Sequence, residues 1–218
     1  MSKVLIVANL KSYKNLDEAK LWLTEFLKYK DELRDLQNKE IIICPSFPYL
    51  FSFNSVASDN IKIGAQNVSP FDEGAYTGEV NAKQIKDFAQ FVLVGHSERR
   101  TNFGENEDML LRKVEVSMKY GLEPIFLIQN KEEIIPNGVK IVAYEPVFAI
   151  GSGTPDTPDN ADNVALSLKE KGDLQVLYGG SVNSANVKNF TSKHNIGGVL
   201  VGGGSLDPEE FIKIIQNA

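Results

Sequence analysis

Short runs of aliphatic and β-branched residues recur along the chain, separated by stretches with helical spacing. Residues 4–8 are continuously apolar rather than alternating, which is typical of a strand that is buried on both faces. Seven further runs of this kind follow at intervals. The pattern therefore predicts eight strands, at residues 4–8, 40–44, 61–65, 91–94, 124–128, 140–144, 175–178 and 198–201.

Helix signals occupy most of the intervals between these runs. Apolar residues from Leu16 to about Leu33 lie on one stripe, which indicates a long amphipathic helix. Polar capping residues, two of them followed by proline, mark other helix starts. The predicted helices cover residues 16–33, a short segment from the cap Asn81 to Phe88, residues 105–120, and two segments that begin after Thr157 and Asp207.

Strands and helices that alternate along the whole chain predict parallel strands joined by helical crossovers. No composition shift or flexible linker divides the chain, so we expect one domain over residues 1–218. Only eleven residues, 129–139, separate the fifth and sixth strands, whereas a parallel crossover usually needs about a dozen or more. We therefore expect an α/β fold, an eight-stranded (β/α)8 barrel in which the helix between strands five and six is reduced or missing.

Composition narrows the possible functions. The formal charge of −6 argues against a nucleic-acid binder and requires any anionic ligand to be held by local positive groups. The single cysteine, Cys44, and the two histidines, His96 and His194, argue against a disulfide framework and against a cysteine- or histidine-rich metal site. The apolar run at residues 4–8 is too short for a signal-peptide core, and no run is long enough to span a bilayer. We therefore expect a cytoplasmic protein that does not bind membranes.

Glycine-rich turns follow the last two predicted strands. The successive N–H groups of Gly202, Gly203 and Gly204 can form an anion-binding concavity, to which Ser181 in the preceding turn could add a hydroxyl group. Barrel enzymes often bind phosphate with the loops after strands seven and eight. Lys11, beyond the first strand, would then be the counter-charge. Alternatively, the glycines only permit tight turns and the lysine is solvated.

A histidine follows the fourth predicted strand, at the end of the barrel where such enzymes keep their active sites. A nearby helix amino terminus would favour a neutral His96, which could donate a hydrogen bond to a carbonyl group. Glu98 is a candidate acid or base. It is also a candidate ion-pair partner for Arg99, Arg100 or Lys113. The alternative is a solvated charge cluster with a histidine that only caps the helix.

A glutamate follows the sixth predicted strand. Desolvation beside an apolar strand would raise the basicity of Glu145, which suits a general base. The apolar and glycine-rich segment 147–155 comes next and could fold over a ligand as a mobile lid. The alternatives are a surface glutamate followed by an ordinary buried loop.

Taken in order, these motifs resemble the triosephosphate isomerase family from residue 4 to about residue 215. Several spaced motifs carry more weight than any one of them. The matching segments are 9–11 for substrate contact, 64–67 and 74–79 for the subunit interface, 95–100 for the electrophile, 143–147 for the base and lid start, and 178–182 and 200–203 for the phosphate loops.

The resemblance implies an intramolecular aldose–ketose isomerase of glycolysis and gluconeogenesis. It would interconvert dihydroxyacetone phosphate and D-glyceraldehyde 3-phosphate through an enediolate, without a metal or cofactor. The implied partners are triose phosphates and a second copy of the chain in a homodimer, with a homotetramer as the alternative. The implied roles are Glu145 as base, His96 as electrophile, Lys11 and Asn9 as charge stabilisers, Glu98 as a supporting residue, Gly151, Ser181, Gly202 and Gly203 as phosphate ligands, and Thr77, Gln66 and Asn67 at the interface.

Some positions depart from the family pattern. The lid has Phe148 and Thr154 where the family usually has tryptophan and lysine, and Leu127 and Gln129-Asn130 replace a cysteine and a Gly-Glu pair. Two other functions stay open: a catalytically silent barrel that binds sugar phosphates or proteins, and another phosphate-binding barrel enzyme. The presence of a lysine, a histidine and a glutamate in their matching motifs favours the isomerase.

Overall fold

The computed structural model describes residues 3–146, 148 and 155–218. Eight parallel strands form a closed barrel in sequence order, in which the last strand pairs with the first. All eight predicted strands are confirmed, with ends that differ by two residues at most. They are β1 Val4–Asn9, β2 Lys39–Cys44, β3 Ile61–Ala65, β4 Phe91–Val94, β5 Glu123–Ile128, β6 Ile141–Tyr144, β7 Gln175–Tyr178 and β8 Ile196–Val201.

Helices connect most of the strands. Within the described residues, no helix combines the length and apolar character needed to cross a bilayer. The helices are α1 Leu16–Leu27, α2 Lys30–Arg34, α3 Leu50–Phe53, α4 Ala82–Ile85, α5 Ser97–Phe103, α6 Glu107–Lys119, α7 Pro158–Lys169, α8 Val187–Thr191 and α9 Pro208–Asn217, with short 3₁₀ turns at Phe47–Tyr49, Asn54–Val56 and Gly203–Ser205.

The prediction of one helix over residues 16–33 is wrong. The backbone leaves the helical conformation at Tyr29 (φ −106°, ψ 5°), which separates α1 from α2. With this break, Leu33 is fully buried and Tyr29 packs against the same core. Tertiary packing therefore decides the helix boundary here, and the apolar stripe alone does not show it.

Capping side chains set the other helix starts. The predicted caps Thr157 and Asp207 accept backbone N–H bonds, as does Asn81, although α4 ends at Ile85 instead of Phe88. The predicted helix 105–120 begins two residues later, capped by Asn106. Glu105 therefore lies outside the helix and is buried.

The crossover from β5 to β6 contains no helix in its described residues, 129–140, as expected from its length. Gly138, with φ +86°, lies directly against the Met118 side chain of α6. Ile135 packs against the core, and Val139 is buried just before β6. An irregular connector thus takes the place of the helix.

Side chains along each strand alternate between two apolar layers, one inside the barrel and one between the barrel and the helices. Along β1, Leu5 and Val7 face the barrel interior, whereas Ile6 and Ala8 face the helices. The same alternation places the next inward position at the carboxyl end of the barrel, which for β1 is Asn9. On β6, β7 and β8 the corresponding positions are Glu145, Gly179 and Gly202.

One glycine is required where two strands approach closely. Gly198 on β8 has φ +153°, and a Cβ atom there would lie 2.0 Å from the backbone oxygen of Leu5 on β1. We expect Gly198→Ala to lower the free energy of unfolding by about 2–6 kcal/mol, because backbone strain and overpacking add. Urea denaturation measures this loss.

Gly172→Ala is the matched control. No heavy atom lies within 4 Å of a Cβ atom at Gly172, so its stability should change by no more than about 0.5 kcal/mol. Equal losses in the two variants would contradict the steric explanation.

Candidate active site

A cavity of about 270 Å³ lies at the carboxyl ends of the strands. Seven of the predicted catalytic and phosphate-binding residues line it together, although they come from distant parts of the sequence. Its lining consists of Asn9, Lys11, His96, Glu145, Gly179, Gly180, Ser181, Val182, Asn183, Leu200, Gly202, Gly203 and Gly204. Gly151 and most of the predicted lid lie outside the described residues, and Phe148 is exposed.

A larger, more open hollow of about 1090 Å³ lies at the opposite end of the barrel. Its lining includes Lys3, Glu40, Glu123 and Lys140, but none of the predicted site residues. It lies at the amino ends of the strands, whereas barrel enzymes keep their active sites at the carboxyl ends. The smaller cavity is therefore the candidate active site.

Glu145 is the inward residue directly after β6. Its backbone N–H donates to the carbonyl of Ile128 (2.8 Å), and its Oε2 atom accepts the backbone N–H of Ser97 (3.2 Å). The residue is only 2% exposed. Burial raises the pKa of the carboxyl group to about 7, although the Ser97 hydrogen bond and the charge of Lys11 oppose the shift. The group therefore has the basicity that a proton-transfer reaction near neutral pH requires.

The neighbouring strand makes room for this carboxylate. Tyr144 pairs with Tyr178, which places Gly179 beside Glu145. A Cβ atom at Gly179 would lie 2.9 Å from Cγ of Glu145. The glycine after β7 is therefore required by the position of the glutamate.

His96 links the end of β4 to the start of α5. Its Nδ1 atom accepts the backbone N–H of Glu98 (3.2 Å), so Nδ1 is unprotonated and the ring proton is on Nε2. Nε2 lies 3.3 Å from Oε1 of Glu145. Burial, together with the charge of Lys11, lowers the pKa of the imidazole below its usual value. The neutral ring can therefore donate a hydrogen bond from Nε2 at pH 7.

Lys11 has an unusual backbone. It is the one non-glycine residue in the described part of the chain with a positive φ, +51°, a conformation that costs about 1–3 kcal/mol. Its carbonyl accepts hydrogen bonds from Ser46 Oγ (2.8 Å) and Gln66 Nε2 (2.9 Å), and its N–H donates to Asn9 Oδ1 (3.1 Å). These bonds hold the strained residue at the rim of the cavity.

The structure corrects the expected partners of Glu98. Its Oε1 atom lies 2.5 Å from Nζ of Lys11, so it orients the cavity lysine. Glu98 and Lys11 are 87 positions apart in the sequence, so proximity along the chain does not predict this ion pair. The residues expected to pair with Glu98 bind other carboxylates: Arg99 and Lys113 bind Glu105, and Arg100 binds Glu133.

The two glycine turns lie on the same cavity. Gly202 is close to Lys11, since a Cβ atom at Gly202 would lie 3.2 Å from Cε of the lysine. Ser205 donates from Oγ to the Gly202 carbonyl (2.7 Å), and the backbone carbonyl of Ser205 accepts from Trp22 Nε1 (2.9 Å), which fixes the turn against α1. Backbone N–H groups beside a lysine can hold an anion such as phosphate.

The predicted interface residues are divided between the surface and the interior. Thr77 is exposed, whereas Gln66 and Asn67 are half-buried. Gln66 supports Lys11, and Asn67 Oδ1 accepts a hydrogen bond from Lys113 Nζ (2.7 Å). Both therefore have a role within their own chain, which the sequence does not indicate.

No group of three histidine, cysteine, aspartate or glutamate side chains that could hold a metal ion occurs in the described part of the chain. His194 is exposed and does not line the cavity. The chemistry that this site can perform with its own groups is proton transfer between a buried carboxylate and a ligand, with a neutral imidazole and a lysine as stabilising donors.

Comparison with known proteins gives the same family as the motifs. A family model described as triosephosphate isomerase matches residues 4–218. Relatives named triosephosphate isomerase include those of Aquifex aeolicus (36% identical, covering 98% of each chain), Dictyoglomus turgidum (36%, 100% of each) and Mesomycoplasma hyopneumoniae (37%, 99% of this chain and 100% of the relative). The similarity extends over all eight strands.

The raised pKa of Glu145 predicts a pH-dependent cost to stability. Its proton is bound more tightly in the folded than in the unfolded chain, so its contribution is fully present below about pH 4.5 and is lost as the pH rises through about 7. Glu145→Gln has no proton to lose. Relative to the wild type, its free energy of unfolding should therefore rise by about 2–3 kcal/mol between pH 5 and pH 8.

Urea denaturation at the two pH values, at equal protein concentration, measures this difference. Glu132→Gln removes an exposed carboxylate and should show the wild-type pH dependence. A stability difference between Glu145→Gln and the wild type that does not vary with pH would contradict the raised pKa.

Proposed function

The chain belongs to the triosephosphate isomerase family, and we propose that Glu145, His96, Lys11 and Asn9 are the residues with which it interconverts dihydroxyacetone phosphate and D-glyceraldehyde 3-phosphate. The observation that carries this assignment is the 3.3 Å distance between Oε1 of buried Glu145 and Nε2 of neutral His96. A base and a hydrogen-bond donor at this distance can act on adjacent atoms of one small substrate.

In the proposed reaction, Glu145 removes the proton from the carbon next to the substrate carbonyl and returns it to the neighbouring carbon. Electron density moves to the carbonyl oxygen, and His96 donates from Nε2 to that oxygen as negative charge develops. The imidazole also relays the proton of the neighbouring hydroxyl group to this oxygen, so that one oxygen becomes the new hydroxyl and the other the new carbonyl. In the structure, the carboxylate lies against Nε2 of His96 and accepts the backbone N–H of Ser97. The substrate would replace these contacts and leave the base free to take the proton.

Lys11 supplies the positive charge in a protein whose net charge is −6. We assign to it and to Asn9 the stabilisation of the enediolate, worth about 2–4 kcal/mol for a well-placed donor. Glu98 acts as a supporting residue because it orients Nζ of Lys11. The phosphate would be held by Ser181, Gly202 and Gly203, which line the same cavity, and by Gly151.

We further propose that residues 1–218 are one domain and that two copies form a homodimer, with a homotetramer as the alternative assembly. The loop at residues 71–79, which contains Thr77, supports this interface. It exposes the stacked rings of Phe71 and Tyr76, whose centroids are 4.3 Å apart. Gln66 and Asn67, which precede this loop, are hydrogen-bonded to Lys11 and Lys113 of the same chain. The proposed enzyme acts without a metal or cofactor and works in the cytoplasm.

An isomerisation assay coupled to a dehydrogenase that consumes one product tests the assignment. Glu145→Asp withdraws the carboxylate by about one carbon–carbon bond, so kcat should fall by roughly 10²-fold. The inhibition constant of glycerol 3-phosphate, which lacks the carbonyl group, should change less than about twofold.

Glu132→Gln, at an exposed position that does not line the cavity, should retain wild-type kcat and KM. No turnover of either triose phosphate by the wild type would overturn the function. An unchanged kcat in Glu145→Asp would remove Glu145 from its role as the base.

A further inference from the structure

The connector between β5 and β6 carries an acidic side chain that turns back toward the strand ends. Glu133 uses both carboxylate oxygens: Oε1 accepts the backbone N–H of Gln129 (2.7 Å), and Oε2 lies 2.9 Å from a terminal nitrogen of Arg100. The two charged side chains are only 19% and 18% exposed. The ion pair is thus largely enclosed between the connector and α5.

The same guanidinium group joins the ends of two strands. Arg100 donates from Nε to the carbonyl of Gly95 (2.7 Å) and from a terminal nitrogen to the carbonyl of Leu127 (2.7 Å). Gly95 directly precedes His96. Leu127 directly precedes the residue whose carbonyl accepts the backbone N–H of Glu145. Arg100 therefore connects the segments that position the two reacting side chains.

The carboxylate has a specific physical task in this arrangement. A partly buried guanidinium bonded only to neutral carbonyl groups lacks a counter-charge and gains free energy by turning toward water. Glu133 supplies that charge through a charge-assisted hydrogen bond. At the same time, its bond to Gln129 fixes the chain directly after β5. Loss of the carboxylate would release Arg100 and weaken its bonds to the carbonyl groups of Gly95 and Leu127.

We propose that Glu133 is a positioning residue for the isomerisation, acting through Arg100 on the relative placement of His96 and Glu145. This inference rests on the roles proposed for those two residues. The glycine turns follow β7 and β8, on strands that Arg100 does not touch. Disturbance of the link should therefore impair the chemical step and leave phosphate binding nearly unchanged.

Glu133→Gln tests the proposal with little change in shape. Its amide oxygen can still accept the Gln129 N–H, but its NH₂ group faces the Arg100 donors and carries no charge. We expect kcat to fall roughly tenfold, consistent with a displacement of a fraction of an ångström, while KM and the inhibition constant of glycerol 3-phosphate change less than about twofold.

Glu132→Gln is the matched control, because it removes the same charge from the neighbouring, exposed position of the same connector. It should behave as the wild type. Thermal unfolding of each variant checks that the fold is intact. If Glu133→Gln does not fold, Glu133→Asp replaces it. The shorter carboxylate can keep one of its two contacts, so kcat of Glu133→Asp should lie between the wild-type value and the roughly tenfold lower one.

A double-mutant cycle tests the route of action. If Glu133 acts through Arg100, then Glu133→Gln combined with Arg100→Gln should have the same kcat as Arg100→Gln alone. Independent, multiplicative losses would overturn this route. Equal kcat in Glu133→Gln and Glu132→Gln, in an active wild-type background, would overturn the role of Glu133. An inactive wild type would instead overturn the proposed function.

Discussion

The burial of one carboxylate against one neutral imidazole is the constraint on which the rest of the site depends. Removing Glu145 from water favours its protonated form, and removing His96 from water favours its neutral form. The same desolvation thus prepares a stronger base and a proton donor. It is possible only because the barrel interior, closed by eight strands, excludes water around the inward position after β6.

Several costs follow from this burial. Position 179 must be glycine to leave space for the Glu145 side chain, and the backbone N–H of Ser97 must face the carboxylate. Lys11 keeps a strained φ of +51° so that its charge reaches the same cavity. The surrounding fold compensates the strain at Lys11 with ordinary hydrogen bonds, from Ser46 and Gln66 to the lysine carbonyl. Strain and unfavourable burial are therefore concentrated where the chemistry takes place.

The sequence predicts the strands well and the side-chain partners poorly, for a physical reason. Strands buried on both faces produce continuous apolar runs, and the missing helix follows from a residue count, since both signals are local. The break at Tyr29, the pairing of Glu98 with Lys11 and the link from Glu133 to Arg100 depend on contacts between distant segments. No spacing rule reports such contacts. The motifs nevertheless identify the cavity residues, because the carboxyl ends of barrel strands converge at one face.

The proposed chemistry requires that His96 is neutral and carries its proton on Nε2. Nitrogen-15 NMR of histidine-labelled protein tests it directly, because the chain has only two histidines and the exposed His194 serves as the reference signal. We expect an unprotonated Nδ1 and a protonated Nε2 for His96, unchanged from pH 5.5 to pH 8. An imidazolium signal at pH 7, or a neutral ring with its proton on Nδ1, would contradict it.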